Sequence, residues 1–289
     1  MSKIKLSVVL ATRNEEENLA KCLESIKSIA DEIIIMDEKS TDNTVQIAKK
    51  FDAKVFEVEH ESIFHITKQK AIDKASGDWI LQLDADEIVT PQLAKEIREV
   101  LGHTEGIKKR KIPELFRRHQ KIVEKRDGKL GKDTGEIVAF FMPRRNIFLG
   151  KPLTHAGVYP DGVIRLIKKG KARLPAKSVH EQMEIDGEVG WLLGELEHHD
   201  SPTLSRYLWR MNRYTDLHAQ ELADKNVPKN AIYFILYTIC KPAVVFFRLF
   251  LRHAGFKDGI RGFLWSLFSS LHFPLAYFKY LTGGYNTNK

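Results

Sequence analysis

The chain has 289 residues, of which 43% are hydrophobic and 29% charged, and a formal net charge of +8. That length buries a full core, and the ordinary hydrophobic share excludes a disordered or fibrous chain. Its cysteines, Cys22 and Cys240, are too few for a disulfide framework or a zinc site, which fits a reducing compartment, and the positive charge points to an anionic partner.

Lys3 and Lys5 precede the apolar run Leu6 to Ala11, which passes into Arg13-Asn14-Glu15 without a small-residue cleavage site and so reads as a first strand, not a secretion signal. Further strand-like runs cover Glu32 to Asp37, Lys54 to Val58 and Trp79 to Leu83. They alternate with helix-like segments, and that rhythm predicts a parallel α/β sheet. In the first such segment Leu19, Leu23, Ile26 and Ile29 recur at helical spacing, with Glu15 to Glu17 expected in its first turn. The second strand ends at Asp37 and a polar turn in which Ser40 or Thr41 is expected to cap the next helix. Phe64 to Ser76 predicts a short helix carrying Lys68, Gln69 and Lys70, and a lysine there either reaches a phosphate or solvates a helix face.

The fourth strand delivers Asp84, Asp86 and Glu87 at its exit, where open α/β sheets hold their ligands. Asp84 and Asp86 can turn to a common point and offer hard oxygen ligands to Mg²⁺ or Mn²⁺, a metal normally shared with a substrate phosphate. An acidic turn before a helix capped by Thr90 and opened by Pro91 explains the same residues. Neither Gly-x-Gly-x-x-Gly nor Gly-x-x-x-x-Gly-Lys-Ser/Thr occurs, so a nucleotide reading leaves the diphosphate charge to a metal.

Ser7 to Glu15, Ile35-Met36-Asp37 with Ser40-Thr41-Asp42, and Leu83-Asp84-Ala85-Asp86-Glu87 resemble, in this order and spacing, a family 2 glycosyltransferase with the GT-A fold. The resemblance implies a nucleotide-diphosphate sugar donor, expected to be a UDP-hexose, inverting transfer, and a divalent metal. It places Thr12 and Asp37 on the nucleoside, Asp84 on the ribose or metal, and Asp86 on the metal and diphosphate. Arg13, Asn14, Glu15 and Ala85 belong to the same donor motifs, and Lys70 is added as the lysine for a phosphate. Glu38-Lys39 departs from the small residues such enzymes often carry there.

Residues 102–135 carry eleven basic residues against five acidic, and are expected to form a partly helical, mobile insertion or lid, or else a solvated loop. Extended segments follow: Ile137 to Met142, Arg144 to Gly150, His155 to Asp161 and Val163 to Ile167. Together with Ser178-Val179-His180-Glu181 and Asn212-Arg213-Tyr214-Thr215 they resemble the lipopolysaccharide-core β-glucosyltransferase branch of family 2. That branch implies a lipid-linked saccharide acceptor at the cytoplasmic face of a bacterial inner membrane. Inverting transfer needs a general base, and Asp161 is favoured over Glu181; His180 is the expected third metal ligand beside Asp84 and Asp86. Arg144 and Arg145 are expected to face a diphosphate or acceptor phosphate, or to pair with structural acids. Adjacent His198 and His199 on a strand point to opposite faces and do not share a metal.

Ser201 and Pro202 open a long helix with Leu204, Tyr207, Leu208, Met211 and His218 along one face and Arg206, Arg210 and Arg213 along another. Beyond it, Ala231 to Cys240, Val244 to Phe250 and Phe263 to Phe278 are strongly apolar, but Lys241-Pro242, Arg248 and Arg252 interrupt the first stretch. Amphipathic helices in the membrane interface, next to anionic headgroups, are the expected arrangement, and a soluble helical subdomain or dimer interface the alternative. The expectation is therefore an α/β GT-A domain over residues 1–200 and a C-terminal helical module over 201–289. The resemblance implies a metal-dependent hexosyltransferase, expected to be peripheral at the inner face of the cell membrane and to have no nucleic-acid partner. Nucleotidyltransferases share the sheet and metal logic but lack their phosphate loop here, and a non-catalytic membrane or nucleic-acid binder leaves the carboxylate crevice idle.

Overall fold

The computed structural model describes residues 4–102, 111–175 and 182–285. The chain divides into two compact units, Met1–Arg145 with Pro160–His198, and Asn146–Tyr159 with His199–Lys289.

In the first unit β1 (Leu6–Thr12), α1 (Leu19–Ile26), β2 (Glu32–Asp37), α2 (Thr44–Lys50), β3 (Lys54–Glu57), α3 (Phe64–Lys74) and β4 (Trp79–Leu83) alternate as the sequence predicts. They are followed by β5 (Glu87–Val89), α4 (Pro91–Gly102), α5 (Glu114–Asp127) and β6 (Ile137–Met142). β7 (Arg144–Phe148) leads into β8 (Lys151–Pro152) of the second unit, and the chain returns for β9 (Val163–Lys168), β10 (Ala172–Arg173), β11 (Glu184–Ile185), β12 (Glu188–Trp191) and the start of β13 (Leu196–Ser201). The main sheet has the order β12-β6-β9-β4-β1-β2-β3. β3-β2, β2-β1, β1-β4 and β12-β6 pair in parallel, and β9 is antiparallel to both neighbours. This is the expected mostly parallel, Rossmann-like sheet of the GT-A class.

β1 and β4 are buried along their whole length, as runs without polar alternation require when helices cover both faces. Leu19, Cys22, Leu23 and Ile26 put one stripe of α1 into that core, beside Leu93, Ile97 and Val100 of α4. Truncating Leu23 to Ala there costs about 2–5 kcal/mol.

Two local expectations change. α1 begins at Leu19, so Glu15 to Glu17 precede it; Asn14, at φ +54°, turns the chain, and Glu16 accepts a hydrogen bond from the Asn43 side chain at 2.8 Å. α2 has Asn43 at its N-cap without a side-chain capping bond; Asp42, just before it, accepts the Thr44 N–H on Oδ1 at 2.9 Å, and Ser40 bonds Asp37. The α4 cap is as expected, with Thr90 Oγ1 accepting the Leu93 N–H at 3.3 Å.

Within the basic insertion, α5 docks through buried Phe116 and Val123. Phe116 and Phe141 flank the Trp191 ring at centroid distances of 4.8 and 4.6 Å, and the Trp191 indole N–H donates to Gln120 Oε1 at 2.9 Å. Gly162 permits this: a Cβ there would stand 2.4 Å from the indole edge.

The second unit contains α6 (Leu204–Asp224), α7 (Ala231–Arg252) and α8 (Gly259–Thr282). Lys241-Pro242 does not break α7, because the widened π-helical turn Leu236–Cys240 gives the Pro242 ring room. α7 packs on α8 through Tyr237 and Tyr277, stacked at 4.9 Å, and through Phe250 and Phe263 at 5.9 Å. α6 meets α8 where Lys279 Nζ reaches Asp216 Oδ1 at 2.7 Å and Asn212 Oδ1 at 2.8 Å, and where His218 lies 3.0 Å from His272. Asp258, just before α8, accepts the His155 N–H at 2.8 Å and the Thr154 N–H at 3.1 Å.

Candidate active site

Parallel pairing brings the carboxyl ends of β3, β2, β1 and β4 side by side, with Thr12 in register with Asp37. Thr12 Oγ1 donates to Asp37 Oδ1 at 2.9 Å, and Ser40 donates to Asp37 through its N–H at 2.8 Å and its hydroxyl at 2.6 Å. Both Thr12 and Asp37 are fully buried. Asn14 ties the neighbouring turn, its N–H donating to Ser40 Oγ at 2.9 Å and its Oδ1 accepting the Thr41 N–H at 2.8 Å, while the Glu15 N–H donates to Thr44 Oγ1 at 2.7 Å. Thr12, Asn14 and Asp37 thus hold the β1 and β2 exits together, and Arg13 is left exposed at the rim. Glu38, also buried, meets His60 Nδ1 at 2.5 Å and the Thr67 hydroxyl.

Past β4, cations converge on the carboxylates. Asp84 Oδ1 lies 2.5 Å from Lys68 Nζ, and Asp84 Oδ2 lies 2.5 Å from Arg165 Nη2. The same Nη2 is 2.7 Å from Glu87 Oε1, and Arg165 Nη1 donates to Gln82 Oε1 at 2.7 Å. Glu87 is fully buried; its Oε2 accepts the Asp84 N–H at 3.0 Å, and Arg144 Nη1 stands 3.6 Å from Oε1. Arg144 donates to Asp161 Oδ2 from Nε at 2.9 Å and Nη2 at 2.8 Å. Asp161 sits at φ +39°, a turn conformation costly for a residue other than glycine.

Burial alone would raise the Asp84 carboxyl, but Arg165, Lys68 and Arg144 outweigh it and hold the group well below the usual carboxylate range. Asp86 is also lowered: burial opposes, and the hydrogen bond and charge of His198, 3.5 Å away at Nε2, win. Arg165 and Arg144 are raised, because Asp84 with Glu87, and Asp161 with Glu87, overcome the cost of burying a guanidinium.

Of the residues singled out in the sequence, Asp84, Asp86 and Arg144 meet at this centre, with Ala85 buried between the two aspartates. Lys70 pairs with Glu61 at 2.5 Å, and it is Lys68, on the buried α3 face with Thr67, Ala71 and Ile72, that reaches Asp84. Arg145, one step along β7 from Arg144, points elsewhere, to Glu195 at 2.8 Å and to Glu197. His180 and Glu181 lie outside the described residues. Sequence reasoning named Glu87 at the strand exit without giving it a role, and gave no site role to Arg165 or His198. The lone charge in the apolar run Val163 to Ile167 was the available sign of Arg165.

Both Asp84 oxygens face cations, while the Asp86 carboxylate and His198 Nε2 face each other at 3.5 Å. No group of three or more His, Cys, Asp or Glu is arranged for a metal among the described residues. Two protein ligands nevertheless fit Mg²⁺ or Mn²⁺ that arrives with a diphosphate, since such ions take much of their shell from substrate and water.

Over 268 residues the chain is 29% identical to the lipopolysaccharide core biosynthesis glycosyltransferase LpsC of Rhizobium meliloti, covering 91% of this chain and 86% of that one. It is 40% identical over 98 residues to a glycosyltransferase of Rickettsia typhi, or 34% of this chain and 33% of that protein. Among solved structures, TarS of S. aureus aligns over 97% of this chain and 92% of that chain at 14% identity and a TM-score of 0.41. Glucosyl-3-phosphoglycerate synthase of Mycobacterium tuberculosis, in complex with Mn²⁺, uridine diphosphate and glucosyl-3-phosphoglycerate, aligns over 36% of this chain and 42% of that chain at 28% identity and a TM-score of 0.32. The model of glycosyl transferase family 2 matches residues 7–148, from the first strand through the Asp84–Asp86 turn to Arg144, and over this stretch the chain matches that family.

Proposed function

We propose that the protein transfers a hexose, with inversion, from a UDP-sugar to a lipid-linked saccharide in lipopolysaccharide core assembly. The observation that carries the reading is the convergence of Lys68, Arg144 and Arg165 on the Asp84 to Glu87 turn at the β4 exit. Similarity to LpsC along most of both chains supports the acceptor class.

In this reading the β1 and β2 exits seat the nucleoside, with Arg13 at the rim. Asp86 and His198 would hold Mg²⁺ or Mn²⁺, which supplies charge neutralisation to the departing diphosphate. Lys68 and Arg144 add fixed positive charge on the same side, and Arg165 orients Asp84. Asp161 is a positioning residue that holds Arg144 through Oδ2. A carboxylate already bound to a guanidinium competes poorly for the acceptor proton, so the base role passes to Glu181. The acceptor hydroxyl gives its proton to that carboxylate, its oxygen attacks the anomeric carbon, and the sugar bond to the diphosphate breaks.

Helix α7 supports membrane association. Its 22 residues have a mean hydropathy of 1.8, are long and apolar enough to cross a membrane by length and composition, and only 6% of the window is buried. Its outer stripe, Ile232, Ile235, Ile239, Val244, Phe247 and Leu251, is exposed and apolar. We place the protein at the cytoplasmic face of the cell membrane on this basis.

The test is a screen of nucleotide sugars with truncated lipopolysaccharide as acceptor, reading nucleotide release with and without a chelator. Acceptor-dependent, chelator-sensitive release of UDP is the expected result; no release from any UDP-sugar sinks the reading.

A further inference from the structure

The two faces of α5 carry different chemistry. Inward, Phe116 and Val123 are buried, His119 Nε2 lies 3.3 Å from the Gly162 carbonyl oxygen, and Gln120 holds the Trp191 indole. Outward, Leu115, Arg118, Ile122 and Lys125 follow at spacings of three and four, with Lys121 four before Lys125, and all are exposed. Leu115 is 49% exposed and Ile122 67%.

Cations interleaved with aliphatic tips suit a helix lying on a lipid surface, where the cations meet anionic headgroups and the tips enter the hydrocarbon boundary. A nucleic-acid backbone would engage the cations and leave the aliphatics in water. The ion pairs of Glu114 with Arg117 and Arg118, each 3.2 Å, are exposed and weak enough for a headgroup to replace.

We propose that the outward face of α5 docks on anionic phospholipid headgroups, and that the docked helix steadies the turn carrying Asp161 and Gly162 through His119 and Gln120. The idea rests on the reading of a membrane-borne acceptor. In it the basic insertion links arrival at the lipid surface to the position of Asp161, the partner of Arg144. Because the inner face is already packed against Trp191, lipid contact requires no unfolding of α5.

The test uses the full chain with Cys240→Ser, removing the exposed thiol, and Ile122→Cys carrying an environment-sensitive dye; Cys22 is buried. Vesicles of phosphatidylglycerol with phosphatidylcholine should shift the dye emission to the blue at low salt, and phosphatidylcholine alone should not. Arg118→Gln, Lys121→Gln and Lys125→Gln together should abolish the shift and lower partitioning onto the anionic vesicles by about tenfold or more. UDP-sugar binding and partitioning onto neutral vesicles should stay as they were. Unchanged dye emission while the protein sediments with anionic vesicles overturns the proposal, and so does a shift produced by duplex DNA but not by vesicles. Absence of glycosyl transfer leaves the dye response intact, so the two readings fail separately.

Discussion

Arg165 Nη2 stands 2.5 Å from Asp84 Oδ2, which ties antiparallel β9 to the carboxylate at the exit of β4. The same guanidinium is the closest cation to fully buried Glu87, and its removal leaves only Arg144 Nη1, at 3.6 Å, facing that charge while Asp84 loses one of its partners as well. Arg165→Met should therefore destabilise the protein by about 3–5 kcal/mol, read from urea unfolding. Lys68→Met, which leaves Glu87 paired, should instead weaken UDP-sugar binding with a smaller change in stability. Equal stability loss in both variants would mean that Arg165 has no special hold on Glu87.

The proposed metal site joins Asp86 and His198, whose Nε2 lies 3.5 Å from the carboxylate, while both Asp84 oxygens face cations. Asp86→Ala and His198→Ala should each reduce Mn²⁺-dependent UDP binding by at least about tenfold, as loss of a ligand does, while the metal-free affinity stays the same. Calorimetric titration with UDP at fixed Mn²⁺ measures this. Retention of the full metal effect in either variant removes that residue from the site.

The proposed choice of Glu181 over Asp161 as base is supported by the hydrogen bonds that Arg144 gives Asp161. Glu181→Gln should lower kcat by roughly two orders of magnitude or more with donor binding intact, as expected for a lost general base. Asp161→Asn should cost less in kcat and should raise KM for the donor, because Arg144 loses its partner. The reverse order, with donor affinity preserved in both, makes Asp161 the base.

Acid stability has a clear local source at the opposite ends of the strands. Burial would raise the Glu32 carboxyl, but Lys54 at 2.8 Å, Ser7 at 2.5 Å and Ser76 at 2.9 Å together hold it down to about 2. A depressed carboxyl stabilises the fold above its unfolded value of 4.5, and that contribution disappears as pH falls from there towards 2. The shift corresponds to about 3 kcal/mol. Glu32→Gln should thus lower stability at pH 7 and flatten the decline below about pH 4.5, measured by urea unfolding across pH. An unchanged acid slope would place the acid sensitivity elsewhere, in Asp84 and Asp86.

The four parallel strands and the acidic turn were legible because apolar runs and strand-end carboxylates are local patterns. What escaped depends on partners distant in sequence: Arg165 is 81 residues from Asp84, and the apolar run around it marks it as buried without saying what it pairs with. Lys68 and Lys70 differ only in which side of α3 they occupy, and the buried neighbours Ala71 and Ile72 were the clue that Lys68 faces inward. The expected cap of α2 by Ser40 or Thr41 does not form: the Ser40 hydroxyl accepts the Asn14 N–H and donates to Asp37, contacts that exist only once β1 and β2 are paired.

How the second unit meets a membrane depends on the ties among its three long helices. Helix α7 is about 33 Å long at 1.5 Å per residue, enough to span about 30 Å of hydrocarbon, and Lys241 is folded over the Tyr237 ring at 3.4 Å, away from the outer stripe. Yet α7 packs on α8, and α8 is joined to α6 by Lys279 and Asp216. α6 carries Arg206, Arg210 and Arg213 and cannot enter hydrocarbon without great cost. A crossing by α7 would drag that charged helix with it, so α7 should lie in the interface with its outer stripe in lipid and Arg248 and Arg252 at the headgroups. The protein should then stay with anionic vesicles at high salt but be released by alkaline carbonate. Replacing Ile235, Ile239 and Phe247 with Asn, all exposed and so without loss of the fold, should eliminate the salt-resistant fraction. Resistance to carbonate in the parent protein means that α7 spans the bilayer, and salt-resistant binding by the triple variant means that the outer stripe is not the surface that lipid covers.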